Sequence, residues 1–380
     1  MRDAVIVDAV RTPIGKRNGA LAGIHPADLS AHVLTALAER NALDPGTVDD
    51  VIWGCVGQVG DQTGDIARTA VLAAGWPVSV PGTTVDRRCG SSQQAVHFAA
   101  AGVVAGHYDV VVAGGVESMS RVPMGSAARD GRPHPDSVLR RFGVEGFGQG
   151  TGAESMAERW KLSRSDLDEY ASRSHARAAE AVDAGAFDGQ LAPIGGLRAD
   201  EGVRRGTTPE TLAGLRTAFR PDGVVTAGNA SQISDGAAAL LITSGETAAA
   251  CGMRPLARVH TVALAGDDPV VMLTAPIAAT AKALRRSGLG IDDLGAYEVN
   301  EAFAPVPLAW QAETGARGDR LNPLGGAIAT GHPLGGTGAA LMTRLVHHMR
   351  DRGVRYGLQT MCEGGGMANA TVLELLEGTR

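Results

Sequence analysis

Aromatic side chains are scarce in this 380-residue chain, at 4% of positions, while glycine occurs 52 times. That balance excludes a core built on large rings and points to tight turns and close backbone packing around a site. Cysteines number four, Cys55, Cys89, Cys251 and Cys362, with no C-x-x-C pair. A disulfide framework and a zinc site are therefore not expected, no bound metal is expected, and a reducing cytoplasm fits best. No apolar run reaches the length of a membrane span. The formal net charge of −6 argues against a general nucleic-acid or membrane-surface role, so an anionic ligand would need a local basic patch. The chain opens on strand-like residues 4–10 and closes on Glu377-Gly-Thr-Arg380. Neither reads as a signal peptide, a transit peptide or an S-K-L address. The expectation is a cytoplasmic globular protein, in keeping with 44% apolar residues.

What is present is organised around Asp86-Arg-Arg-Cys-Gly-Ser-Ser-Gln-Gln-Ala95. Residues 81–85 read as the end of a buried strand, and residues 94–104, rich in alanine and carrying Val96, Phe98 and Val103, as a packed helix. Cys89 then sits in a strand-to-helix turn, where free backbone N–H groups and the helix dipole favour the nucleophilic thiolate. An isolated cysteine is more often buried and inert. The flanking glycine and serines, and two further stretches, argue against that here.

Strand-like and helix-like stretches alternate through residues 1–118, the pattern of a layered α/β unit. The order recurs near the C-terminus. A helix, then Asp49-Asp50, then the strand at 51–53 lead 39 positions on to Cys89, while a helix, Asp292-Asp293 and the strand at 296–299 lead 39 positions on to His332. The strand at 110–112 maps onto 357–361, and the one at 236–242 onto 370–376. The expected fold is thus α/β and duplicated. A first half at 1–118 is completed by 233–254, a second half spans 255–380, and 119–232 is an inserted loop domain suited to a large ligand or an oligomer contact.

Duplication places the Cys89 turn and the Gly331-His332-Pro333 turn face to face across a pseudo-twofold, which gives a nucleophile its base. Cys362 precedes three glycines whose N–H groups can form an anion-binding nest. Two thiols and one imidazole without metal spacing suggest acyl transfer with a separate proton-transfer step.

DRRCGSSQQA around Cys89, VAGGVESMS from Val112, NEAFA from Asn300, GGAIATGHPLGGTG from Gly325 and MCEGGGM from Met361 stand in one order over nearly the whole chain. In these motifs the sequence resembles the thiolases, acetyl-CoA C-acyltransferases, and among them bacterial degradative ones, including those acting on bulky sterol side chains. The resemblance implies two similar halves stacked as αβαβα layers with an inserted loop domain. It implies that Cys89 accepts the acyl group, that His332 activates it, and that Cys362 moves the proton at the α-carbon. Asn300 would hold a water that forms one oxyanion hole with His332, and the N–H groups of Cys89 and Gly364 would form the other. Coenzyme A enters as co-substrate, with no permanently bound cofactor, near Arg204, Ser231 and Phe303. The partners implied are acyl-CoA and CoA, in a homodimer or homotetramer.

Some positions depart from the family pattern. Asp86 replaces the usual asparagine, Ser92 a usual glycine, and Gly148-Gln149 a His-Met pair of many short-chain thiolases. The last change opens volume beside the acyl group and supplies an amide, which suits a larger or oxygenated acyl chain, unless Gln149 faces solvent. Two other readings remain at this point. A decarboxylating condensing enzyme of the same superfamily would resemble a Cys-His-His or Cys-His-Asn site, against which Cys362 argues. A non-catalytic acyl-CoA or lipid-binding relative would not need all four reactive residues.

Overall fold

The computed structural model describes residues 2–129 and 131–376, so the C-terminal Glu377–Arg380 lies outside the described residues. The first half runs Val5–Arg11 (β1), Gly15–Lys16 (β2), Pro26–Arg40 (α1), Asp50–Gly54 (β3), Ile66–Ala73 (α2), Thr83–Val85 (β4), Ser91–Ala105 (α3) and Val110–Ser118 (β5). Four helices follow, Asp136–Phe142 (α4), Gln149–Arg159 (α5), Arg164–Asp183 (α6) and Pro209–Ala213 (α7). Ser234–Thr243 (β6) and Gly245–Ala250 (α8) return to the first half. Then come Ala257–Gly266 (β7), Ala275–Ser287 (α9), Ala296–Val299 (β8), Pro305–Thr314 (α10), Ala327–Thr330 (α11), Leu334–Arg352 (α12), Tyr356–Glu363 (β9) and Met367–Leu375 (β10).

The strands pair in the order β4-β3-β5-β6-β1-β7-β10-β9-β8, with β2 on β6. β3 is parallel to β4 and β5, as β8 is to β9, and the other neighbours are antiparallel. The order is close to mirror-symmetric about the β1–β7 junction, where only Val5↔Arg258 and Ile6↔Ala257 pair. The duplication expected from the sequence is therefore visible as topology. The helices α1 and α2 cover the outer face of the first half, on a core with Leu34, Val71, Trp53 and Val112. On the outer face of the second half, α9 and α10 pack Ala283 and Trp310 with Leu358 and Val372. Between the halves lie α3 and α12, whose Val96, Val103, Met342 and Val346 share one cluster with Val111, Leu240 and Leu373. Five layers, αβαβα, result. With helices on both faces, β1 and β5 are buried at every position, which is why they read as continuous apolar runs.

Two features set up the site. At the carboxyl ends of the parallel strands of both halves, β5 and β9 carry Glu117 and Cys362 while β3 and β8 lead into Cys55 and Asn300, the end where α/β sheets bind ligands. The first turn of α12 also lies close against the first half: a Cβ on Gly335 would stand 2.6 Å from Cys55 Cα and 2.7 Å from the Val116 carbonyl. Only glycine fits there.

Segment 119–232 contributes no strand to the sheet among the described residues. It is nevertheless anchored. Ser163 and Asp166 form a capping box that starts α6. Tyr170 and Ser174 of α6 donate to Glu301 at 2.9 and 2.7 Å, and Glu301 also accepts from Asn322 and Ile328 N–H. Arg11 of β1 pairs with Asp200 at 2.6 Å, both side chains buried, and its guanidinium lies over the Phe187 ring.

Local expectations need correcting in two places. The stretch 81–85 is not a buried strand: only Thr83–Val85 pairs, at the sheet edge and partly exposed. The helix after Cys89 starts at Ser91, three residues earlier than expected, and Phe98 is 48% exposed on it rather than packed. No described helix is long and apolar enough to cross a membrane.

Candidate active site

Cys89 lies just before α3, in a turn that the sequence braces locally. Arg88 holds φ +50°, a left-handed conformation costing a non-glycine residue about 1 kcal/mol or more. Its N–H donates to Asp86 Oδ1 at 2.7 Å, the Arg87 N–H donates to Ser91 Oγ at 2.9 Å, and Ser91 Oγ donates to the Arg88 carbonyl at 2.6 Å. Cys89 itself is 3% exposed. Burial first, and the Glu363 carboxylate second, push its thiol up to about 12, while its own N–H and the Gln149 side chain pull the other way. The expectation of a resting thiolate is thus overturned. Desolvation outweighs the helix terminus, so Cys89 rests as a thiol and would need a base to act as a nucleophile.

His332 is placed by Gly331, at φ +107°, where a Cβ would stand 2.2 Å from Ser234 Oγ. The His332 N–H donates to the Gln232 carbonyl and Ser234 Oγ, at 3.1 and 3.2 Å. Its Nδ1 is 2.7 Å from Thr337 Oγ1, and the Thr337 hydroxyl donates to the Pro333 carbonyl at 2.8 Å. That hydroxyl has one proton, already committed, so it accepts from His332 Nδ1–H. The tautomer follows: Nε2 carries the lone pair, and Asn300 Nδ2 approaches it at 3.4 Å. Burial lowers the imidazole to about 4, so it is neutral at physiological pH, the form a general base requires. The start of α12 is held by Glu117, which accepts from the N–H groups of Val56, Gly57 and Gly335 and from Gln62 Nε2, at 2.7 to 3.0 Å.

Cys362 ends β9 one residue before the turn to β10, and burial followed by the charge of Cys89 raises its thiol. The two cysteines therefore sense one another. Asn300 is buried, and its Oδ1 has no hydrogen-bond partner among the described residues. Cys89 and Gly364 line a cavity of about 410 Å³, together with Gln149, Met119, Val122, Met124, Phe147, Met272 and Leu334. Gln149 thus faces the site rather than bulk solvent, and its Nε2 lies 3.2 Å from where a Gly364 Cβ would be. Among the described residues no cluster of His, Cys, Asp or Glu has metal-site geometry.

The remaining predicted residues lie on the neighbouring surface. The Ser231 N–H donates to the Ala302 carbonyl at 2.9 Å, and Ala230 bridges Phe303. Phe303 stacks edge-on with Phe219, ring centroids 5.8 Å apart, and Phe219 is 44% exposed. Arg204 is exposed, with its N–H on His175 Nδ1 at 3.1 Å, and is not in the cavity wall. Sequence reasoning missed Thr337, Glu117, Glu363 and Phe219. The signal for Thr337 was present in its place one helical turn into the helix that follows His332.

Comparisons with known proteins place the whole chain in one family. Residues 4–246 match the thiolase N-terminal domain and residues 253–375 the thiolase C-terminal domain. The chain is 49% identical to a steroid 3-ketoacyl-CoA thiolase of Mycobacterium tuberculosis, over 99% of this chain and 95% of that one. It is 44% identical to a beta-ketoadipyl-CoA thiolase of Escherichia coli, over 98% and 100%. Its fold matches the crystal structure of the Bacillus anthracis acetyl-CoA acetyltransferase with a TM-score of 0.91 and 39% identity, covering 99% of both chains.

Proposed function

The chain belongs to the thiolase family, and from that membership we propose how its residues divide the reaction and which substrates it takes. It is an acyltransferase, cleaving 3-ketoacyl-CoA with CoA to acetyl-CoA and a shortened acyl-CoA, or running the reverse Claisen condensation. In the cleavage direction Cys89 Sγ attacks the 3-keto carbon while His332 Nε2 takes its proton. The resulting oxyanion collapses, the C2–C3 bond breaks, and the Cys362 thiol protonates C2 of the departing acetyl-CoA enolate. The CoA thiol gives its proton to the Cys362 thiolate and attacks the acyl-Cys89 thioester, the shortened acyl-CoA leaves, and the expelled Cys89 Sγ takes its proton back from His332 Nε2. Charge develops on oxygen at each step, and each oxyanion needs donors already in place. Asn300 with His332 serves one, through a water, and the N–H groups of Cys89 and Gly364 serve the other. The fixed lone pair on Nε2 and the buried, unpartnered Asn300 Oδ1 support this assignment.

CoA runs past Phe303, Phe219 and Ser231 on this reading, with Arg204 toward its nucleotide end and segment 119–232 as the docking surface. No cofactor is permanently bound, the setting is the cytoplasm, and the assembly is a homodimer or larger. The substrate is a bulky, largely apolar 3-ketoacyl-CoA carrying a polar group. The cavity carries this inference. An acetyl group of three heavy atoms fills on the order of 100 Å³, a fraction of the cavity's 410 Å³. Its wall is apolar apart from a few polar side chains, and the half-buried Gln149 among them offers an amide to which an oxygenated chain can hydrogen-bond. The steroid thiolase named above is consistent with such a substrate.

The test is the ratio of kcat/KM for a ring-bearing 3-ketoacyl-CoA against acetoacetyl-CoA, in wild type and Gln149→Met, with the acyl group mapped by mass spectrometry. The bulky substrate should be preferred by about tenfold in wild type, the worth of one hydrogen bond near 1.5 kcal/mol. The acyl group should sit on Cys89. A marked preference for acetoacetyl-CoA would refute the substrate assignment, and acylation of Cys55 or Cys251 the nucleophile.

A further inference from the structure

Glu363 is a buried titratable residue that the reaction above does not use. It follows Cys362 as the last residue of β9, is fully buried, and neither carboxyl oxygen has a hydrogen-bond partner among the described residues. Its side chain packs against the nucleophile turn. A Cβ on Gly90, the residue after Cys89, would lie 2.2 Å from Glu363 Oε1 and 2.7 Å from Asn369 Nδ2. Asn369 in turn donates to the Gly90 carbonyl at 3.0 Å. A carboxyl group therefore sits between the two cysteines' supporting strands and loops, where an apolar side chain would pack without desolvation cost. A negative charge there disfavours the thiolate at both Cys89 and Cys362.

We propose that Glu363 is a positioning residue for acyl transfer, acting through both cysteines: as the neutral acid it permits negative charge on Sγ of either one, and as the anion it opposes it. The proposal rests on the thiolase reading of those cysteines. Burial is the main reason that Glu363 keeps its proton, at about 8 instead of 4.5. The charged groups facing it are on the nucleophile turn. Arg87 draws its affinity for the proton down, and Asp86 pushes it up. Across neutral pH the acid form dominates, so charge can appear on sulfur, and on the enolate beside Cys362, without a second anion beside it. Above about pH 8 the carboxylate forms first and competes with the thiolate for the same low-dielectric space.

The experiment is alkylation of Cys89 by iodoacetamide between pH 6.5 and 10, read by peptide mass spectrometry, alongside turnover over the same range. In wild type the alkylation rate should rise about tenfold per pH unit up to about pH 8, as one ionisation requires, and then flatten. In Glu363→Gln it should keep rising, so that at pH 9.5 the variant reacts about thirtyfold faster than wild type. Its turnover should hold at alkaline pH where that of wild type declines, with KM little changed. Arg87→Gln, which leaves Glu363 in place, should move the break upward in pH, and Asp86→Asn should move it downward. These two decide the matter if Glu363→Gln does not fold. Parallel alkylation profiles in wild type and variants would overturn the proposal. Failure of any variant or the wild type to be acylated by substrate would instead overturn the thiolase roles, since the alkylation profile does not depend on them.

Discussion

At the scale of single residues, the candidate reactive groups stand out in the sequence because each lies in a stretch with a distinctive pattern. Cys89 and His332 precede equivalent helices at equal spacing, and Cys362 opens a run of glycines. Their protonation states were not legible, since these depend on what surrounds them. Helix-terminus reasoning favours a thiolate at Cys89, yet burial keeps the thiol and lowers His332. Cys and His both rest neutral, and the proton crosses only when substrate arrives. Thr337 matters for that reason. By accepting from Nδ1–H it leaves Nε2 unprotonated, and a single hydroxyl achieves this because its own proton is held by the Pro333 carbonyl. Thr337→Val should lower kcat by about tenfold, the worth of one hydrogen bond near 1.5 kcal/mol, with KM nearly unchanged. Thr337→Ser should restore it. A loss in the Ser variant that the Val variant does not share would show that the methyl group, and hence packing, carries the effect.

At the scale of elements, β-branched runs and alanine-rich helices identified most of the sheet, because buried central strands carry their signal in composition. What failed was the edge. β4 has three paired residues, too few for a periodic signal, and its partly exposed Thr83–Val85 were mistaken for interior chain. The same error covers α3, whose sequence is apolar all round although one side is not covered. Phe98 and Val104 are 48% and 41% exposed, and Ala101 and Ala105 are exposed between them. A helix otherwise sealed between two sheets exposes an apolar stripe beside an unpaired strand edge. Such a pair of features is what an association surface presents, and a closed twofold is the commonest way to cover one. Phe98→Glu should therefore shift the sedimentation mass at micromolar concentration toward that of a monomer while leaving the circular dichroism unchanged. An unaltered mass in the variant, or a monomeric wild type, would rule out α3 as the contact.

At the scale of the whole molecule, five layers bury many titratable groups, and their summed shifts set where the fold is stable. Histidines dominate the acid side. His97 is lowered to about 3, and His175, His332, His347 and His348 to about 4, in each case chiefly by burial. A depressed folded value means stability that is present above the ordinary 6.5 and is lost as pH falls toward 4, because the unfolded chain binds the proton first. Glu298 and Glu363, raised to about 7 and 8, act in the opposite sense. Their contribution is full below 4.5 and is lost as pH rises through 7 to 8. Between pH 6.5 and 4.5 five histidines therefore oppose Glu298 and Glu363, with Asp50, Glu117 and Asp235, also raised by burial, on the carboxyls' side. Each histidine shifted from 6.5 to about 4 is worth on the order of 3 kcal/mol when the loss is complete, against a usual margin of about 5–15 kcal/mol. The denaturant midpoint should fall steeply from pH 6.5 to 4.5 and more gently from pH 7 to 8, where the two glutamates lose their protons in the folded state. His347→Gln, remote from the reaction and bonded through Nε2 to the Ala9 carbonyl, should flatten the acid limb by about one proton's slope. An acid limb no steeper than the alkaline one would show that the histidines gain their protons without unfolding.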